Sequence, residues 1–465
     1  MEEIKVDFAV VGSGPAGQKA AIQAAKLGKK VVVIEKDADP GGACINSGTI
    51  PSKALREAVV DLTGFHERSF YGDACEKRQV SVKDLMFRLQ RVWEDEHATI
   101  RRQFKKNDIR LVQGTARFEN PRQLIVVDDD FRLRYQISAD YTLIATGSEP
   151  RNPIDVPFDG EVILDSTRLL TLREVPKSML VLGGGIIGSE YASFFAALGS
   201  EVTVADKRDR LLPLVDAEVG THLQTALTEI GLKFEGGKSP KEIRREGDRA
   251  VVTFDDGSVL SADVLLYALG RVAHVDSLHI GNAGLSVNSR GFVSVNKLFQ
   301  TDVPNIYAAG DVIGYPALAS TSMEQGRLAA RHAFGVETSA FPNTFPTGIY
   351  SIPEISFCGY TEEELKNLGY RYEIGRAYFY ELARGHISGS KNGLFKILFH
   401  ADTLEILGVH VIGRGATEVI HIGQVAMSFN ARIDYFVNQV FNYPTFAEGY
   451  RVAALNGLNK IKRIP

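Results

Sequence analysis

Two glycine-rich turns in matching contexts and a late change of pattern predict a three-domain α/β chain. A strand runs into GSGPAG at residues 12–17, and a second runs into GGGIIG at residues 183–188. From about residue 346 the chain turns to a hairpin and helices of a different kind. The predicted fold class is α/β, with two Rossmann-like dinucleotide-binding domains and a C-terminal α+β domain. The length agrees, since 465 residues make about three domains at roughly 150 residues each.

The first strand is DFAVV (residues 7–11), and the Gly12, Gly14 and Gly17 turn leads into an Ala-rich helix. The strand KVVVIEK follows and closes on Glu35. Glycines allow a tight turn and close approach to a pyrophosphate, the helix N-terminus offers N–H donors, and the terminal acid takes ribose hydroxyls. The second copy, SMLVLGGGIIGSE, carries Gly183, Gly185 and Gly188, and its next strand EVTVAD ends on Asp206. The interval from Gly12 to Glu35 equals that from Gly183 to Asp206. Two matched copies predict two dinucleotide sites in one chain.

Between the copies, GGACINSGTIPSK (residues 41–53) is a glycine-opened loop carrying one cysteine, Cys44, with Thr49 five positions on. The helix containing RVWEDEHATIRRQFKK reads as a solvated face through its mixed charge. YTLIATGSEPR (residues 141–151) and VLLYALGRV (residues 264–272) both read as buried strands ending on a glycine turn. Each lies where the chain would cross between domains, and Pro150, Pro153 and Pro157 suit a crossover linker. NIYAAGDVIG (residues 305–314) is a further apolar strand, ending on Gly310 and Asp311. LFKILFHADTLEILGVHVIG reads as a hairpin with Phe395, Ile397 and Phe399 on one face and a turn near Asp402. Helices are expected around 416–430 and 446–460. The expected division is 1–150 with 273–345 as one discontinuous domain, 151–272 as the second, and 346–465 as the third.

Composition narrows the function. A net charge of −4 with 44% apolar and 24% charged residues fits a soluble globular protein and argues against nucleic-acid binding. Every apolar run breaks before the ~18–20 residues needed to span a bilayer, and the acidic MEEIKVD start does not resemble a secretion signal. Cys44, Cys75 and Cys358 are far apart and odd in number, so no disulfide framework is implied. The ten histidines show no metal-ligand spacing. A cytoplasmic enzyme without a metal is expected; the closing KIKRIP reads as a solvated tail.

In this order the pieces resemble the two-dinucleotide flavoprotein disulfide reductases, the group that includes dihydrolipoamide dehydrogenase and glutathione reductase. The resemblance rests on GSGPAG with Glu35, GGACINSGTIPSK, ATG at 145–147, GGGIIG with Glu190, AAGD at 308–311 and YPTFAE at 443–448, and covers nearly the whole chain. It implies FAD in the first site, NAD(H) or NADP(H) in the second, and a C-terminal domain that pairs two subunits into a homodimer or a higher homo-oligomer. It further implies that Gly12, Gly14 and Gly17 cradle the FAD pyrophosphate, Glu35 takes the adenosine ribose and Asp311 a ribitol hydroxyl. Lys36, Gly41, Gly42, Cys44, Gly114, Thr146, Gly147 and Ala319 complete the FAD site by the same resemblance. Lys53 would lie near flavin N5, with Glu190 as its partner. Gly183, Gly185, Ile186, Gly188, Asp206, Lys207, Arg208 and Gly270 would form the nicotinamide-nucleotide site, where the aliphatic Ile186 replaces a gating tyrosine of some reductases.

The departures from that pattern decide the activity. The reductases carry two loop cysteines, at positions matching 44 and 49; Thr49 cannot form a redox disulfide or a thiolate. They also carry a histidine–proline pair before a glutamate, where this chain has Tyr443 before Pro444, Thr445 and Glu448. Phenols hold their proton to about pH 10, so a tyrosine is a poor proton shuttle at neutral pH. With dithiol chemistry lost at both ends, the chain is most similar to the soluble pyridine nucleotide transhydrogenases (Si-specific type). The expected reaction moves hydride from NADPH to NAD⁺, reversibly and by ping-pong, through FAD. Asp206 favours NAD through the ribose hydroxyls, while Lys207 and Arg208 can offset its repulsion of a 2′-phosphate. The alternatives are an NAD(P)H-dependent quinone or dye reductase and a single-cysteine chemistry at Cys44.

Overall fold

The computed structural model describes residues 2–72, 80–390 and 392–461, and the chain falls into two compact units. Cys75 and most of KIKRIP lie outside the described residues.

One unit comprises 2–54, 87–151 and 270–342. Its centre is the strand Glu2–Val11, parallel to Val31–Glu35 on one side and to Leu133–Ile144 on the other. Arg110–Gln113 extends the sheet beyond Val31–Glu35, and Ile306–Ala308 joins Leu133–Ile144. The first strand starts five residues earlier than DFAVV suggests because its polar start, from Glu2 on, pairs with Tyr135–Ala139. Phe8, Ala9 and Val10 are wholly buried, as expected of a parallel strand covered on both faces. The helices Pro15–Lys26 and Ala319–Ala333 pack so closely that a Cβ on Gly326 would fall 2.1 Å from the Ala16 carbonyl oxygen. The crossover segments meet as a two-stranded ribbon, Ser148–Pro150 against Arg271–Ala273. The charged helix spans Val82–Lys106, and its Ile100 and Phe104 enter the core.

The other unit comprises 55–86, 152–269 and 343–461 of the described residues. It repeats the parallel arrangement: Ser178–Leu182 lies between Glu201–Ala205 and Val264–Tyr267, flanked by Lys233–Glu235 and Ile163–Asp165. A separate antiparallel sheet runs Thr347–Ile349, Ile355–Gly359, Ile406–Ile412, Leu394–His400, Tyr372–Tyr378. The expected hairpin is present, and Phe395, Ile397 and Phe399 share one core with Phe436 and Tyr450. Its other face is buried as well: Leu394, Leu398 and even Lys396 are covered. The helices Ala416–Ser428 and Gly449–Ile461 stand near the expected positions.

Candidate functional site

The two fingerprints place their three glycines alike at their turns. Gly12 has φ of +100°, and a Cβ there would sit 2.4 Å from the Ala145 carbonyl oxygen. At Gly183, with φ of +109°, a Cβ would sit 2.6 Å from the Ala268 carbonyl oxygen. Cβ atoms on Gly17 and Gly188 would lie 2.0 and 1.9 Å from the carbonyl oxygens of Gly12 and Gly183. In each copy the third glycine lets the helix close on its strand. Gly14 and Gly185 precede the helices Pro15–Lys26 and Ile186–Leu198, and a Cβ on either would meet no chain atom within 4 Å.

In the first copy Glu35 is buried and its carboxylate is held by the fingerprint itself. Oε2 accepts the Ser13 N–H at 2.9 Å and the Ser13 hydroxyl at 2.5 Å; Oε1 accepts the Asp37 N–H at 3.1 Å. The Ser13 Oγ also accepts the Gly41 N–H at 2.8 Å, tying the cysteine loop to the turn. Gly42 lies so close to Gly14 that a Cβ would fall 2.9 Å from the Gly14 Cα. From the outer side Trp93 Nε1–H donates to the Ile45 carbonyl at 2.5 Å, and His97 bonds Asn46 Oδ1 at 2.8 Å. The helix read from sequence as a solvated face thus also clamps the loop.

Cys44 sits on the short helix Gly42–Asn46, while Thr49 opens the helix Thr49–Thr63 that carries Lys53 one turn further on. Burial pushes the Cys44 thiol up, outweighing the opposing hydrogen bond with Thr49 and the Lys53 charge. Cys44 is a free thiol, protonated at neutral pH. Lys53 Nζ donates to Ser52 Oγ at 3.2 Å. Cys358 is buried in the C-terminal core, which pushes its thiol up to about 11.

At the same carboxyl edge of the first unit's parallel strands, Asp311 Oδ2 accepts the Ser148 hydroxyl at 2.7 Å. Arg271 anchors Ser148 in turn, with Nε 2.8 Å from its Oγ and Nη2 2.6 Å from its carbonyl oxygen. Among the described residues Thr146 Oγ1 is buried without a hydrogen-bond partner, and a Cβ on the adjacent Gly147 would meet nothing within 4 Å. An orphaned hydroxyl beside a glycine that leaves room on its outer side fits a polar cofactor along this edge. Lys36 Nζ lies 3.3 Å from His274 Nδ1; burial and that ammonium push the imidazole below its ordinary range. Gly114 ends the neighbouring strand, where a Cβ would fall 2.6 Å from Val126 Cγ1. Its glycine therefore answers to internal packing. Ala319 is the first residue of Ala319–Ala333.

In the second copy Asp206 is only 2% exposed. Its Oδ2 accepts the Gly184 N–H at 2.6 Å and Arg208 Nη2 at 2.6 Å. Its Oδ1 accepts the Arg208 N–H at 2.9 Å and Arg208 Nε at 2.8 Å. Burial opposes ionisation, yet these bonds hold the carboxyl below its usual range. Lys207 is exposed. Arg210 turns away, donating to the Pro213 carbonyl at 3.0 Å. Ile186 is the first helical residue, and buried Glu190 accepts the Tyr350 N–H at 2.8 Å. A Cβ on Gly270 would meet nothing within 4 Å. Tyr443 is exposed, and Thr445 Oγ1 donates to the Asn442 carbonyl at 2.7 Å.

Ser13, Trp93, His97, Ser148, Arg271 and His274 escaped the sequence reading. Ser13 stands at a variable position of the glycine pattern, and the others are distant in sequence from the residues they support.

Two dinucleotide folds, a cysteine loop laid over the first and a C-terminal α+β sheet define a flavoprotein-reductase-like chain. Residues 6–326 match the pyridine nucleotide-disulphide oxidoreductase family, and residues 345–454 match that family's dimerisation domain. The chain belongs to this family. A protein named soluble pyridine nucleotide transhydrogenase from Mycobacterium tuberculosis (strain ATCC 25177 / H37Ra) is 46% identical over 98% of both chains. Its namesake from Citrobacter koseri is 42% identical over 98% of both. Among solved structures, LpdA from Mycobacterium tuberculosis superposes with a TM-score of 0.89 at 25% identity, covering 98% of this chain and 99% of that one. The HOCl-induced flavoprotein disulfide reductase RclA from Escherichia coli gives 0.86 at 27%, covering 97% and 99%.

Proposed function

We propose that this chain is an FAD-dependent NAD(P)⁺ transhydrogenase of the Si-specific type, moving hydride reversibly from NADPH to NAD⁺ by ping-pong without a redox disulfide. The observation that carries the reading is the loop beside the first fingerprint, where a free, protonated Cys44 faces the hydroxyl of Thr49. Relatives at 42–46% identity that bear the transhydrogenase name support it. When bound, FAD supplies a two-electron carrier that can accept hydride from one nicotinamide and return it to another.

The protein's own residues bind and orient. Gly12, Gly14 and Gly17 open the turn to a pyrophosphate, and Glu35, held by Ser13, presents its carboxylate to the ribose. Asp311 is aimed by Ser148 and Arg271 and takes a ribitol hydroxyl. Lys53 contributes the positive charge that favours a reduced, anionic flavin, and Glu190 is the acid proposed to orient it. Gly183, Gly185, Gly188 and Asp206 hold whichever nicotinamide nucleotide is present. Cys44 has the hydroxyl of Thr49, not a second thiol, beside it, so this loop would form no redox disulfide.

The division into 1–150 with 273–345, 151–272 and 346–465 is proposed on the same footing, as is a cytoplasmic location. The C-terminal domain would pair two copies; the exposed Val425, Phe429, Tyr435 and Val440 are surfaces that a second copy would cover.

NADPH should bleach the flavin of the purified protein without a long-wavelength thiolate charge-transfer band, and thio-NAD⁺ should reoxidise it rapidly. Slow reoxidation by thio-NAD⁺ with fast reoxidation by a quinone would sink this reading in favour of a quinone reductase.

A further inference from the structure

The Asp206 carboxylate is fully subscribed. A carboxylate offers about four acceptor positions, and four N–H groups take them: those of Gly184, the Arg208 backbone, Arg208 Nε and Arg208 Nη2. Two of these belong to the backbone and cannot leave without undoing the turn. The other two belong to one side chain, 43% exposed, on a flexible stem.

The guanidinium edge presents two parallel donors in a fork, as a vicinal ribose diol presents two hydroxyls. Arg208 therefore occupies the positions that the adenosine ribose of NAD(H) needs. A nucleotide carrying a 2′-phosphate brings charge of its own toward the same place. Asp206 stays ionised, so protonation cannot relieve the repulsion and a cation must. Lys207 takes no part in the set around Asp206, and Arg210 is engaged with Pro213, its Nη1 lying 3.8 Å from Glu363.

We infer that Arg208 is a movable counter-ion that lets one site take both nucleotides in turn: it caps Asp206 in the free chain, yields the carboxylate to the ribose diol of NAD(H), and carries its guanidinium to the 2′-phosphate of NADP(H). The inference rests on the reading that both nucleotides use the second site. Either ligand displaces the same cap, so neither gains a large advantage. NAD(H) exchanges two guanidinium bonds for two hydroxyl bonds; NADP(H) exchanges a carboxylate partner for a phosphate.

Equilibrium binding of ADP-ribose and 2′-phospho-ADP-ribose to the oxidised FAD-loaded protein, by calorimetry, tests it without hydride transfer. Arg208→Ala should weaken 2′-phospho-ADP-ribose by about tenfold or more, while ADP-ribose binds as tightly as to wild type or a few-fold tighter. Arg208→Lys, which keeps the charge but not the fork, should retain most of the 2′-phosphate affinity. Asp206→Asn should weaken ADP-ribose while sparing 2′-phospho-ADP-ribose. Equal weakening of both ligands by Arg208→Ala, no change in either, or selective weakening of 2′-phospho-ADP-ribose by Lys207→Ala but not by Arg208→Ala would overturn the inference. If this pattern holds while thio-NAD⁺ fails to reoxidise the reduced protein, the transhydrogenase reading falls and the Arg208 assignment stands.

Discussion

Replacing Lys396 by methionine should destabilise the fold by about 3–5 kcal/mol, the range for breaking a buried ion cluster at one partner. Lys396 is 1% exposed, and its ammonium lies 2.8 Å from Asp216, 3.0 Å from Glu218 and 2.7 Å from Glu362. Methionine nearly preserves the volume, so the loss is electrostatic rather than a cavity. Two carboxylates keep other cations: Glu218 retains Arg376 at 2.7 Å, and Glu362 retains Lys366 at 2.7 Å. Asp216 is wholly buried and keeps the N–H groups of Glu218 and Glu362, each at 3.1 Å, with the ring of His410 as a neighbour. One uncompensated buried charge sets the cost. At about 2–4 °C per kcal/mol for domains of 150–250 residues, the melting midpoint of the FAD-loaded protein should fall by roughly 6–20 °C. Adding Asp216→Asn should recover part of that loss.

The sign with pH follows from the same groups. Asp216, Glu218 and Glu362 are held below their ordinary carboxylate range despite burial: His410 and Lys396 favour the charged form of Asp216, Arg376 and Lys396 that of Glu218, and Lys366 and Lys396 that of Glu362, which falls to about 2. A depressed carboxyl stabilises the fold fully above its ordinary value and loses that contribution as pH falls toward the depressed one. Lys396 itself is raised, so its contribution persists until the pH rises past its ordinary range. Wild-type stability should therefore decline from about pH 4.5 downward, and Lys396→Met should flatten that decline. A midpoint within 2 °C of wild type, or an unchanged acid slope, would refute the cluster argument.

Thr49→Cys should restore a charge-transfer band on reduction but give little lipoamide turnover, since Tyr443 offers no ready proton; substantial lipoamide activity would refute that assignment. Ser13→Ala removes one bond to the Glu35 carboxylate and strands the Gly41 N–H, so FAD should bind roughly 10- to 100-fold more weakly, as read by titrating apoprotein with FAD. Oxidation of NADPH deuterated at the 4-pro-S position should give NADP⁺ free of deuterium, and loss of a pro-R label instead would contradict the Si-specific assignment.

The sequence exposed the parts of the fold that depend on spacing. Two glycine patterns with equidistant acids locate both turns, because a close helix–strand approach admits little else at Gly17 and Gly188. It did not expose Lys396, since a lysine within LFKILFH reads as an outward interruption of an apolar strand; only the packed sheet brings Asp216, Glu218 and Glu362 around it. Ser148 and Arg271 were hidden for a similar reason: they meet through the antiparallel ribbon, and no local pattern connects them. Trp93 was obscured by the charge of its own helix, which masks the face that reaches Ile45.

The two copies of the fingerprint differ most where their acids are held. In the first, Ser13 between the glycines gives Glu35 both its N–H and its hydroxyl, and the same oxygen grips the Gly41 N–H. In the second, the corresponding residue is Gly184, which gives Asp206 only its N–H, leaving the rest to Arg208. A short, wholly buried serine has little freedom to release its partner. An arginine with a half-exposed head can exchange partners at modest cost, because charge and hydrogen bonds are replaced when a ligand arrives. Under the proposed ping-pong function, the first arrangement suits a cofactor that stays bound through turnover, and the second suits nucleotides that would leave between half-reactions. On the proposed function, two differences, Ser13 against Gly184 and Asp37 against Arg208, would separate a resident site from an exchange site built on the same fold.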